Sequence, residues 1–203
     1  MTYTIENEKF SVSIDSKGAE LCSMRSKKTG IEYVWQADPH VWARHAPVLF
    51  PIVGRLKDKM YTVGGKEYHI TQHGFGRDLE FACTEQTDTT LAFTLMPNEY
   101  TKPMYPFDFA FTVRYVLEGN TLQKQHITAN HGDTEMYYEV GGHDAYNVAL
   151  EPDEIMEDYY LDFGSGDAIY PLINDESLMI TKDKRTVPLQ DGKLFLSGGL
   201  FEL

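Results

Sequence analysis

With 203 residues, 42% of them hydrophobic and 24% charged, the chain is long enough for a real core and has ordinary globular composition. Its net charge of −13, with no clustered basic stripe, argues against a nucleic-acid partner, because phosphate backbones demand grouped Lys and Arg. No apolar run approaches the roughly 20 residues that span a bilayer, no leader pattern opens the chain, and Cys22 and Cys83 lack zinc-type spacing. A soluble, cytoplasmic protein with free thiols and no membrane partner is the expectation.

In chain order, Phe10, Val12 and Ile14 alternate with Ser11, Ser13 and Asp15, the period of a strand. Strands are also expected over Ala19 to Met24 and Ile31 to Trp35. Met60 to Val63 and Lys66 to Ile70, joined by Gly64-Gly65, read as a hairpin with a primed turn. Leu91 to Leu95 alternates, and Phe109 to Leu117 with Leu122 to Ala129 forms a longer hairpin around Glu118-Gly119-Asn120. The aromatic run at Tyr137 to Val140 is β-type and ends on Gly141-Gly142. Strands are further expected over Tyr159 to Phe163, over Thr186 to Leu189, and from Ser197 to Leu203. Helical candidates are confined to Asp38 to Arg44 and to Tyr100 to Pro106, whose prolines limit it to a turn or two. This pattern predicts an all-β protein: a large antiparallel sandwich or barrel, one domain over residues 1–203. The stop partway through what reads as a fresh strand suggests a short natural form or part of a longer chain.

Three polar clusters interrupt the strands. In the first, Arg44 and Arg55 bracket an apolar segment, and each offers a rigid fork of donors for hydroxyl or anionic oxygens. The second, Gln72 to Asp78, sets His73 and Arg77 among glycines, an arrangement hard to explain as core. The third sets His143, beside Asp144 and Asn147, after the Gly141-Gly142 turn. From this segment alone His143 reads equally well as a buried histidine bonded to backbone or as a group reachable by a small molecule, able to exchange protons near neutrality. His40, His45, His69, His126 and His131 read as structural or surface residues. No His-x-His or His-Glu-x-x-His spacing occurs, so no metal site is expected. The acidic run Glu151 to Asp158 reads as a solvated loop face.

Pro47-Val48-Leu49-Phe50-Pro51 with Gly54-Arg55, then His73-Gly74-Phe75-Gly76-Arg77, Tyr105-Pro106-Phe107 and Gly142-His143-Asp144-Ala145-Tyr146-Asn147, in this order, resemble the aldose 1-epimerase (galactose mutarotase) family. The likeness covers essentially the whole chain and is nearest the branch of LacX-like proteins and hexose-6-phosphate mutarotases. It implies a galactose mutarotase-like supersandwich, incomplete at the C-terminus, that interconverts the α and β anomers of a hexose or hexose phosphate without a cofactor. It also implies that His143 protonates the ring oxygen, that His73 binds near that oxygen, and that Arg55, Arg44 and Arg77 contact the sugar. Asp78 and Asn147 are further substrate-binding candidates. The family's general base is a glutamate that falls beyond Leu203, so a sugar-binding protein that keeps the groove without turnover is the alternative. Asp144 stands where the family more usually has proline.

Overall fold

The structure, a computed structural model, describes residues 1–177 and 179–200. Its contacts gather into two compact units, Met1–Tyr146 and Asn147–Leu203. In the first, β1 (Thr2–Glu6), β2 (Phe10–Asp15) and β3 (Glu20–Ser26) form an antiparallel meander. The predicted alternation is realised: Val12 and Ile14 are fully buried while Ser11 and Ser13 are half-exposed. The short strand β4 (Val48–Leu49) follows, then the hairpin of β5 (Met60–Val63) and β6 (Lys66–His69). Its two turn residues, Gly64 and Gly65, have φ of 58° and 77°, the left-handed conformations that a primed turn requires.

A second antiparallel sheet is built from β7 (Ala82–Gln86), β8 (Thr90–Leu95), β9 (Phe109–Glu118) and β10 (Thr121–Asn130), in the order β10-β9-β8-β7. Strand β9 buries every second residue: Phe109, Phe111, Val113, Tyr115 and Leu117. That row, with Leu91, Phe93 and Leu95 of β8, shares one core with Ile5, Val12, Ile14 and Leu21 of the first sheet. Each such side chain contributes roughly 1.5–3 kcal/mol when fully buried. Tyr115 ties the layers directly, donating its hydroxyl to the Ala19 carbonyl at 2.8 Å.

The first unit closes through β11 (Gly141–Gly142), which pairs antiparallel with β4. Backbone bonds extend the pairing on both sides: Glu139 N–H to Pro51, His143 N–H to Pro47 and Ala145 N–H to His45. The aromatic run before the glycines is therefore held by this ladder although only the glycines form a regular strand.

The second unit has β12 (Tyr160–Asp162), β13 (Ala168–Ile169), β14 (Leu172–Asn174), β15 (Ile180–Lys184), β16 (Val187–Pro188) and β17 (Lys193–Phe195). They pair as nested antiparallel ribbons, β14 with β15 innermost, then β13 with β16, then β12 with β17.

The all-β, antiparallel expectation holds, with local corrections. Asp38 to Arg44 is a turn: Val41 and Trp42 both donate to the Asp38 carbonyl, and the chain then extends toward β4. Tyr100 to Pro106 is likewise a turn closed on Thr101, since prolines cannot supply the next amide donors. Ile31 to Trp35 makes only isolated bridges, Glu32 to Arg25 and Val34 to Tyr146. Where a last strand was expected, Gly198–Leu200 form a 3-10 turn, and 201–203 lie outside the described residues. Among the described residues no helix is long and apolar enough to cross a membrane.

Candidate functional site

The His73–Arg77 segment folds onto the Phe50 carbonyl, which accepts the N–H groups of Phe75 and Gly76 at 3.0 Å each. Gly74 makes that approach possible: its φ is 68°, and a Cβ there would lie 2.2 Å from the Phe50 oxygen. His73, itself at φ 65°, is gripped at backbone and ring by one residue. Its N–H donates to Gly54 O at 2.8 Å, and Gly54 N–H donates to its Nδ1 at 3.0 Å. An Nδ1 that accepts carries no proton, so the neutral ring bears its hydrogen on Nε2. Burial, followed by the charges of Arg77 and His143, lowers the His73 pKa below its ordinary 6.5.

His143 comes from the β4–β11 ladder. Its exposed ring packs against Trp42, centroids 5.0 Å apart, and meets His73 edge-on at 6.2 Å. The adjacent Asp144 is tied to Lys124 of β10, Nζ to Oδ1 at 2.6 Å, and Lys124 also donates to Ala46 O at 3.4 Å. The pair is sheltered, with side chains 14% and 24% exposed.

The arginines converge through two neighbours. Gln72 Oε1 accepts from Arg55 Nη2 at 3.0 Å, while the Gln72 backbone carbonyl accepts from Arg77 Nη2 at 3.1 Å. Asp78 accepts from Arg44 Nη2 at 2.8 Å and lies 3.7 Å from Arg77 Nε. Burial and the nearby Arg44 lower the Arg77 pKa, and Asp78 opposes them. Trp42, Arg44, Arg77 and Asp78 line a cleft of about 540 Å³.

Of the residues expected from the sequence, His73 and His143 meet, and Arg44, Arg77 and Asp78 form one ion-paired group. Arg55 joins them through Gln72. Asn147 is the first residue of the second unit. Sequence reading missed Trp42, hidden in a segment read as helical. It also missed Gln72, whose position beside His73 was the available signal, and Lys124, which no motif marks. Among the described residues no group of three or more His, Cys, Asp or Glu is placed to hold a metal ion.

The architecture is that of the galactose mutarotase-like β-proteins. Over all of this chain and 67% of its own, a galactose mutarotase related enzyme from Lactobacillus acidophilus superposes with a TM-score of 0.91 at 40% identity. A galactose mutarotase-like protein from Lactobacillus casei gives 0.86 at 32% identity, covering 97% of this chain and 67% of that one. The chain belongs to the aldose 1-epimerase family, whose sequence pattern it matches over residues 1–183. It is 34% identical over 169 residues to the chromosomal protein LacX of Lactococcus lactis, covering 80% of this chain but spanning 56% of that relative.

Proposed function

We propose that this chain carries the proton-transfer site of a mutarotase that interconverts the α and β anomers of a hexose or hexose phosphate. Ring opening breaks the bond between C1 and the ring oxygen. A base takes the proton of the anomeric hydroxyl while an acid protonates the ring oxygen, and rotation at C1 precedes closure on the other face. In this reading His143 delivers its proton to the ring oxygen and recovers it on closure, a role worth roughly 10²–10⁴-fold in rate. Neutral His73 donates from Nε2–H toward the same oxygen, and the arginines bind hydroxyl or phosphate oxygens. The reading requires no cofactor and keeps the cytoplasmic location expected from the sequence.

The observation that carries it is the edge-on meeting of His73 and His143, at 6.2 Å, from segments far apart in the chain, beside Arg55, Arg77 and Arg44. Saturation-transfer NMR on α-glucose, α-galactose and glucose 6-phosphate tests it. His143→Ala is expected to slow anomer exchange about 100-fold or more with the fold intact; undiminished exchange overturns the role. Equal affinity for glucose and its 6-phosphate overturns the phosphate variant.

A second reading, sugar binding without turnover, is favoured by one observation: carboxylates around the histidines are already engaged. Asp78 is held by Arg44, Asp144 by Lys124, and Glu139 accepts Val53 N–H at 2.9 Å. Saturable binding with no acceleration of exchange would select it.

A further inference from the structure

His143 is exposed, so its paired backbone leaves the ring itself free to turn. An unpacked imidazole spreads over roughly three χ1 wells and two ring orientations, so any one of them is populated about a sixth of the time. The Trp42 indole takes up one side of this ring, its centroid 5.0 Å away and its plane tilted by 37°. Trp42 stands on the irregular stretch 36–44, yet both of its backbone polar groups are tied down. Its N–H donates to Asp38 O at 2.8 Å, and its carbonyl accepts the Trp35 indole N–H at 2.9 Å. Trp35 also reaches the histidine segment, since its backbone N–H donates to Ala145 O at 3.0 Å. Ala145 N–H in turn donates to His45 O at 3.0 Å. The contacts close a circuit from Trp35 to Trp42, along the chain to His45, across to Ala145 and back to Trp35. These are the two tryptophans of the chain, so indole signals report this circuit alone.

We propose that Trp35 and Trp42 form a strut that holds the His143 ring facing His73, which makes both tryptophans positioning residues. The inference rests on the mutarotase reading for what the held ring does: proton delivery needs a ring nitrogen within hydrogen-bond reach of the sugar's ring oxygen. Trp35 is the part that makes the strut rigid. Its backbone and its indole fasten, from one residue, the segment that carries His143 and the residue that packs on its ring. Trp42 also lines the cleft with Arg44, Arg77 and Asp78, so direct contact with a sugar is the competing role for its indole.

The test follows anomer exchange of D-glucose, D-galactose and glucose 6-phosphate, and the ring-proton NMR shifts of His143, in three variants checked for folding by urea denaturation. Trp42→Leu is expected to lower the exchange rate at saturating sugar about fivefold or more, while the half-saturating concentration changes less than about twofold. Trp42→Phe, which keeps a flat face, is expected to recover most of that rate. Trp35→Phe keeps a ring but deletes the indole donor. It is expected to show a smaller loss of the same kind, with His143 ring-proton shifts displaced toward those of Trp42→Leu; it carries the test if Trp42→Leu does not fold. A raised half-saturating concentration at unchanged saturated rate would make Trp42 a sugar contact and overturn the strut. So would a Trp35→Phe protein whose exchange rate and His143 shifts are unaltered. If the unsubstituted protein accelerates exchange of none of the three sugars, the mutarotase reading fails, and the His143 shifts alone decide whether the strut holds the ring.

Discussion

The two histidine-bearing segments are held by opposite means. His73 sits in a left-handed loop whose positions follow from backbone: Gly54 at both ends of the residue and Gly74 pressed on the Phe50 carbonyl. His143 lies on extended chain paired to residues 45–51, with Trp42 against its ring and a charge pair beside it. Steric exactness fixes the first and interactions among side chains orient the second. Under the proposed function, the rigid, sheltered seat suits a neutral donor, and exposure suits a group that gives up and recovers a proton.

Gly74→Ala breaks the contrast most severely. A methyl group would meet the Phe50 oxygen, and the left-handed φ adds its own strain, together about 4 kcal/mol. A fall of this size in urea-denaturation stability is expected; a loss under about 1 kcal/mol would mean that the loop is not sterically fixed. Lys124→Met attacks the other segment. It strands Asp144 and should cost about 2 kcal/mol, between the values for exposed and buried pairs. Adding Asp144→Asn should restore most of that stability, and no recovery would show that packing by Lys124, not charge, is what counts.

The smallest effect concerns pH. Because His73 has a lowered pKa in the folded protein, the unfolded chain takes up this proton first as pH falls through 6.5. The stability tied to neutral His73 is therefore complete above that value and lost as pH drops below it. Comparing denaturation at about pH 7.5 and about pH 5.5, the native protein should lose more stability than His73→Gln. Equal losses would mean that the His73 ring titrates alike in both states.

Long period-two strands made much of the first unit legible. Phe109 to Leu117 alternates so strictly that its buried row can be read directly from the residues. Strands such as Ala168–Ile169 and Leu172–Asn174 are too short for any period to emerge, and their pairing is set by chain geometry. Asp38 to Arg44 misled because apolar residues in a single turn carry helical spacing without the following bonds. In the site, the glycine-flanked histidines advertised themselves. Lys124 did not, because a lysine on a half-exposed strand looks the same with or without a partner, and Asp144 lies on a different segment.

The pairing of β4 with β11 brings together points roughly 90 residues apart, a closure entropically modest but late to form. The β5–β6, β7–β8 and β9–β10 hairpins lie between those points and each pairs strands close together in the chain. During synthesis a nascent chain can therefore own a complete second sheet while still lacking the edge-on histidine pair. The His73–His143 pair is assembled in one step, when residues 139–145 leave the ribosome and dock along 45–51.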